Sequence, residues 1–199
     1  MIKCILCESF SFSIICKNCQ TKLLQSQFYK RELEKDFFVY SFYQYTEIKE
    51  LINSKYQFYG DRVLNILASL SFKKFSDNFI FDNIVYAIPI DDHTRHHFSH
   101  TAILAKALQS KYIKVQYNSL KATHIVKYAG HDKNFRKSNK REFIYKGKKN
   151  IQVILVDDLI TTGSTILEAK EKLEASDCEV LFGITLGDAN TKLDIIPKI

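Results

Sequence analysis

No run of apolar residues in this sequence is long enough to cross a bilayer. Proline is scarce, with two in 199 residues, and 46% of the chain is hydrophobic, which excludes a disordered or proline-rich chain. Internal repeats and low-complexity segments are absent. The opening residues Met1-Ile2-Lys3-Cys4 lack the basic segment, apolar segment and small-residue cleavage site of a secretory signal. The G-x-x-x-x-G-K-[ST] spacing of a P-loop is missing as well. These absences lead to an expected cytoplasmic protein with no transmembrane segment, peripheral at the inner membrane if it meets a membrane at all. Its length holds one sizeable core, with room for a small appended module.

Acidic residues are the next shortage. The net charge is +7, which favours an anionic partner: nucleic acid, nucleotide or the inner leaflet of a membrane. Between Lys121 and Lys149 the basic residues face only Asp132 and Glu142, and they are densest at Arg136, Lys137, Lys140 and Arg141. Such a stretch reads either as a solvated surface loop or as a segment that follows phosphates.

Four of the five cysteines fall within residues 1–25, as Cys4-x-x-Cys7 and Cys16-x-x-Cys19. In a reducing compartment, clustered thiols more often bind metal than form disulfides. Each pair can offer two thiolates to one ion, and a tetrahedral set of four suits zinc in a closed, structural site. Reduced free thiols and an iron–sulfur cluster remain as alternatives. Cys178 stands alone and reads as a small buried residue.

Beyond this module, the aromatic stretch from Phe37 to Tyr45 predicts one or two strands. Glu47–Asn53 predicts a short helix, and Asp61 is a candidate cap for another through Val63, Leu64, Ile66, Leu67 and Leu70. Strand and helix then alternate: a strand at Ile84–Ile88 before Pro89, a helix at Thr101–Leu108, and strands near Ile113–Val115 and Ile125–Val126. Ile151–Val156 predicts a central parallel strand, Ile166–Leu173 a helix and Glu179–Leu186 a last strand. The expected fold class is therefore α/β, a parallel sheet flanked by helices, with a small N-terminal metal module.

The densest chemistry lies in Val153-Ile-Leu-Val-Asp-Asp-Leu-Ile-Thr-Thr-Gly-Ser-Thr165. Ligands of open parallel sheets bind beyond the carboxyl ends of strands, where Asp157 and Asp158 are expected. Thr161, Thr162, Gly163, Ser164 and Thr165 lead into a helix whose N-terminus offers amide donors to a phosphate. Gly163 permits close backbone approach, and the hydroxyls add donors. The carboxylates can accept hydrogen bonds from a vicinal diol or hold a hydrated magnesium ion. A ribose 5-phosphate carries both parts; the plain alternative is an acid-capped turn before an ordinary helix.

This segment resembles the phosphoribosyl-pyrophosphate (PRPP) motif of the type I phosphoribosyltransferases. The wider layout resembles the ComF family (ComFC-type) of bacterial competence proteins. Its shared features are the Cys4 module, the aromatic stretch, Lys55-Tyr56 before Gly60-Asp61, Ile88-Pro89-Ile90 and the PRPP motif. The resemblance implies a type I phosphoribosyltransferase domain at 26–199 after a Cys4 zinc finger at 1–25, with 26–75 as hood or connecting region. It implies PRPP held with magnesium, Asp157 and Asp158 on the ribose hydroxyls and Thr161 through Thr165 around the 5-phosphate. Asp91 and Asp92 would lie near the pyrophosphate, and Arg136 and Asn139 match residues of the family's loop before the PRPP strand. The chain departs from the family at His96-His97-Phe98-Ser99-His100, where Arg-Gly-Phe-Asn-Gln is usual; Arg95 can supply the displaced charge. With His93 these histidines read as surface residues near an anion site or as a metal site.

The implied function is in natural transformation: binding PRPP and handling incoming single-stranded DNA on the cytosolic side, beside a DNA-uptake channel or a competence helicase. The pyrophosphate or DNA phosphate would meet Arg95, Arg136, Lys137, Lys140 and Arg141, and exposed aromatics would stack bases, although most of Phe37–Tyr59 reads as core. The alternative is an active phosphoribosyltransferase with an unidentified acceptor. A third reading is a zinc-ribbon adaptor with a vestigial ribose site.

Overall fold

The structure is a computed structural model that describes residues 1–91, 98–123, 142–190 and 194–196. The chain begins with a two-stranded antiparallel ribbon, β1 (Ile2–Lys3) and β2 (Phe10–Ser11), followed by helix α1 (Lys17–Leu23). Strands β3 (Tyr29–Glu34) and β4 (Phe37–Gln44) pair antiparallel. Helix α2 (Tyr45–Asn53), a 3-10 turn (Ser54–Tyr56), and helices α3 (Gly60–Leu70) and α4 (Phe72–Asn78) lead to β5 (Val85–Pro89). Then come α5 (His100–Ala107), β6 (Ile113–Val115), β7 (Leu120–Ala122), β8 (Phe143–Tyr145) and β9 (Ile151–Ile160). Helix α6 (Ser164–Glu174), β10 (Cys178–Asp188) and β11 (Asp194–Ile195) complete the described elements.

The main sheet runs β11-β3-β4-β10-β9-β5-β6. Its five strands from β4 to β6 are parallel, with β3 and β11 added antiparallel at one edge. This is the mixed α/β architecture expected from the alternating pattern. The continuous apolar run of β9 follows from its place inside the sheet, where both faces are covered. Val153 and Leu155 join Ile88, Ile166, Ala169 and Leu173 in one buried layer. Ile154 and Val156 join Val63, Leu67, Leu104 and Ala105 in the other. Alternate side chains of a strand point to opposite faces, so α6 covers one side and α3 with α5 the other. Cys4, Ile14, Ile15, Cys19 and Leu24 belong to the same buried layer as α3 and α5, which packs the cysteine module onto the main core.

Several boundaries differ from the sequence pattern. β9 extends through Asp157 and Asp158 to Ile160, because β10 continues pairing as far as Ile160↔Asp188. The carboxylates therefore project from strand backbone, and the loop proper begins at Thr161. Asp61 lies in the first turn of α3, and Tyr59 is the cap position, without a side-chain hydrogen bond. β3, α4 and the β7–β8 pair are additional elements, and the strand expected near Ile125–Val126 lies outside the described residues.

Gly60 opens α3 against the preceding 3-10 turn so closely that a Cβ there would stand 2.2 Å from the Ser54 carbonyl oxygen. Backbone cannot yield as a flexible side chain would, so Gly60→Ala must move the turn that carries Lys55. We expect a loss of about 1–3 kcal/mol in urea unfolding, the range of overpacked buried positions. A loss below about 0.5 kcal/mol, within the range of neutral surface changes, would show that the turn can shift freely.

Candidate sugar-phosphate site

The five parallel strands end along one edge of the sheet, and the candidate residues gather there. Gly163 caps α6 in the left-handed region at φ 84°, a conformation that only glycine adopts without strain. A Cβ at Gly163 would also come within 2.8 Å of the Leu33 side chain. Thr162 Oγ1 and Ser164 Oγ lie 2.9 Å apart, and Ser164 N donates to Thr162 Oγ1 at 3.4 Å. The Leu167 amide closes the first turn of α6 onto the Gly163 carbonyl oxygen. Thr161 is exposed, Thr162, Ser164 and Thr165 are half-buried, and Gly163 is buried. A short cup of hydroxyls and helix amides thus sits directly after the two carboxylates.

A buried clamp pins the entry to this cup. Arg31 Nη1 donates to Asp188 Oδ1 at 3.0 Å and to the Thr161 carbonyl oxygen at 2.9 Å. Asp188 is 1% exposed, and its Oδ1 also accepts from the Asn190 amide at 2.7 Å. Burial pushes the Asp188 carboxyl above its ordinary range, opposed by the Asn190 amide and Arg31. One guanidinium therefore ties β3, the end of β10 and the first loop residue together.

The two aspartates have different surroundings. Strand alternation turns Asp157 toward the α6 side and Asp158 toward α3 and α5. Asp157 Oδ1 accepts from the Asp158 amide at 2.8 Å. Asp158 Oδ2 accepts from Lys55 Nζ at 2.6 Å, with the two side chains 13% and 15% exposed. Burial would raise the Asp158 carboxyl, but the charge and hydrogen bond of Lys55, then His100 and the Leu159 amide, hold it below its ordinary value. Lys55 answers in kind: burial works to lower it, and Asp158 raises it above the ordinary lysine range. His100 begins α5, with its ring against Phe98 and Tyr56 at centroid distances of 5.1 and 6.4 Å.

Asp91 stands beyond β5 with φ 50°, and its Oδ1 accepts from the Ala122 amide at 3.3 Å. The Ile90 amide donates to Val156 O at 2.9 Å, which sets this turn beside the carboxylate end of β9. Asp92, His93, Arg95, His96, His97, Arg136, Lys137, Asn139, Lys140 and Arg141 lie outside the described residues. β7 and β8 bracket the segment 124–141, joined by the Thr123 amide on the Glu142 carbonyl oxygen. Of the basic residues flanking it, Lys148 donates to Tyr86 Oη and Lys149 pairs with Asp177, so both are engaged on the surface of the fold.

Sequence pattern missed Arg31 and Asp188 altogether, since neither belongs to a local motif and they meet across a separation of 157 residues. Lys55 and His100 were visible only as parts of larger similarities and clusters. Their convergence on Asp158 is a product of packing.

The second cluster is the cysteine set. The Sγ atoms of Cys4, Cys7, Cys16 and Cys19 all lie within 4.8 Å of one another, with Cys7 and Cys16 at 3.6 Å. Tetrahedral zinc with Zn–S bonds of about 2.3 Å needs sulfurs about 3.8 Å apart, so the set fits a zinc ion. The Cys16 amide donates to Cys4 Sγ at 3.3 Å and the Cys19 amide to Cys16 Sγ at 3.5 Å, contacts that favour thiolates. Burial pushes Cys4 up, but the amides of Cys16, Leu6 and Cys7 outweigh it and hold the thiol at about 6. Cys19 is pushed up to about 12 by burial and by the neighbouring thiols. Four thiolates this close repel one another, and a divalent cation removes that conflict.

Among solved structures, the chain is similar to the UMP synthase of Leishmania donovani, at 21% identity over 63% of this chain and 22% of that one, with a TM-score of 0.37. It is also similar to a hypoxanthine phosphoribosyltransferase from Staphylococcus aureus in two crystal forms, at 13% and 12% identity and TM-scores of 0.37 and 0.39. These alignments cover 63% of this chain and 62% of the enzyme. The chain therefore spans less than two thirds of the length of each of these proteins. No family model and no curated protein matches it. No helix among the described residues is long and apolar enough to cross a membrane.

If the cysteine cluster holds structural zinc, the purified protein should release about one zinc per chain on strong chelation. The N-terminal module should then become protease-sensitive, because Cys4 and Cys19 are buried in the core layer. Unchanged protection after metal loss would show that the thiols fold without an ion.

Proposed function

We propose that this protein binds PRPP, together with magnesium, at the carboxyl edge of its sheet. The observation that carries this reading is the continuity of Asp157 and Asp158 with the Gly163-capped N-terminus of α6. Within one short segment it presents carboxylates for a sugar diol and, next to them, hydroxyls and helix amides for a phosphate. Magnesium would accompany the pyrophosphate, whose charge needs a hard cation. Zinc in the Cys4 cluster is structural, because four protein ligands leave no open position for chemistry.

In the wider reading the protein is a ComF-type competence protein that handles incoming single-stranded DNA on the cytosolic side. The chain-wide resemblance and the +7 charge support it. Its basic stretch around Arg136, Lys137, Lys140 and Arg141 would follow DNA phosphates, next to a DNA-uptake channel or a competence helicase. Arg95 and Arg136 are the candidates to meet pyrophosphate. The competing reading, an active phosphoribosyltransferase with an unidentified acceptor, uses the same site and differs only in turnover. Transfer would break the bond between the ribose C1 and pyrophosphate through an oxocarbenium-like sugar, and it needs an acceptor pocket that excludes water.

Titration calorimetry with PRPP and magnesium should show saturable binding. The double variant Asp157→Asn/Asp158→Asn should weaken it by at least about tenfold, through loss of charged acceptors. Equal affinity in the variant would move PRPP away from these carboxylates. Pyrophosphate release against a panel of bases and nucleotides then separates the two readings: steady release establishes the transferase.

For DNA, affinity for a single strand should fall steeply with salt. Neutralising Lys137, Lys140 and Arg141 together should reduce the log–log slope by about 2, at roughly 0.7 per phosphate contact. An unchanged slope would remove this stretch from the interface.

A further inference from the structure

The two aspartates of the sugar-phosphate site are adjacent in sequence and unequal in charge environment. Asp158 has an ammonium 2.6 Å from Oδ2, inside the protein. Lys55 is not a surface side chain that happened to swing in. It stands in the 3-10 turn between α2 and α3, and that turn is fixed from both ends. Ser54 Oγ donates to the Leu51 carbonyl oxygen at 2.6 Å, and Gly60 presses against the Ser54 backbone. The Gln57 amide donates to Ser54 O and the Gly60 amide to Gln57 O, closing the turn with backbone hydrogen bonds. The ammonium also lies 5.4 Å from the ring centroid of Tyr56, a second attraction for its charge.

We infer that Lys55 is a positioning residue that takes the place of a divalent cation at Asp158, so that the ribose 5-phosphate half of the ligand is held without magnesium. This rests on the sugar-phosphate reading of the site and adds to it where the metal is needed. A magnesium ion at Asp158 would have to displace a buried ammonium or sit beside it, and both cost Coulomb energy in a poorly solvated site. Magnesium also demands a near-octahedral shell and keeps several waters, for which a carboxylate already held by Lys55 is a poor partner. Lys55 instead fixes the carboxylate rotamer and balances its charge, leaving acceptor capacity for a neutral diol. Magnesium dependence then belongs to the pyrophosphate end alone.

The test compares ribose 5-phosphate with PRPP on the full-length protein, by calorimetry, in buffers with and without magnesium and without chelator. Wild type should bind ribose 5-phosphate with an affinity that changes less than about twofold on adding magnesium, while PRPP binding tightens by about tenfold or more. Lys55→Met should weaken ribose 5-phosphate binding by about tenfold in the absence of metal and regain part of it when magnesium is added. Lys55→Arg, which keeps the charge, should restore metal-free binding; a merely structural role would not follow charge in this way. Should Lys55→Met fail to fold, the wild-type comparison and Lys55→Arg still decide. Ribose 5-phosphate binding by wild type that requires magnesium overturns the inference, as does metal-free binding unchanged in Lys55→Met. Absence of both ribose 5-phosphate and PRPP binding in wild type is a different result: it removes the sugar-phosphate reading, and the inference with it.

Discussion

The site depends on β9 staying paired with β10 to its carboxyl end, beyond the point where β5 leaves its other side. β10 pairs with it as far as Ile160, and β5 as far as Val156. Held from both sides as far as Val156, the strand buries Val153 and Leu155 on one side and Ile154 and Val156 on the other; past the aspartates the order reverses, with Leu159 against the α3–α5 layer and Ile160 in the α6 layer. Asp157 and Asp158 inherit that alternation and are delivered to different neighbours. Everything polar at the carboxyl edge is arranged around this division.

On one side, α6 begins almost at once, because Gly163 turns the chain in a conformation closed to other residues without strain. The buried Arg31–Asp188 pair holds the approach to that turn from across the sheet. A buried ion pair is weak evidence of stability, since desolvating both charges offsets much of their attraction. Its directional hydrogen bonds to Thr161 O and Asp188 do define the geometry at the entry to α6. On the other side, Lys55 and His100 approach Asp158 from elements that share the α3–α5 core layer. The cysteine module packs on this same layer.

Apolar periodicity made the architecture legible. The run at Ile151–Val156, the helices from Glu47 onward and from Thr101 onward, and the last strand all appear within a few residues of their expected places, because burial on two faces or one leaves a direct trace in residue choice. Strand ends were less legible. Asp157 and Asp158 look like loop residues by composition, and only pairing with β10 extends the strand through them. β3, written Tyr-Lys-Arg-Glu-Leu-Glu, is charged enough to escape a strand pattern; it forms between β4 and the two-residue edge strand β11, where much of it is half-buried or exposed.

By itself the sequence determined the α/β alternation, the four clustered thiols and the run of carboxylates, hydroxyls and glycine after one strand. These are local: each is written in neighbouring residues and follows from spacing, charge and ligand chemistry. Tertiary structure alone decided which charge meets which. Lys55 lies 103 residues from Asp158 and Arg31 157 residues from Asp188, and no local pattern encodes such partners. The stretch Val153–Thr165 carries its carboxylates and hydroxyls in plain order; packing of α5 against β9, with Lys55 brought in from the turn between α2 and α3, made its two aspartates unequal, because a strand sends adjacent side chains to opposite faces.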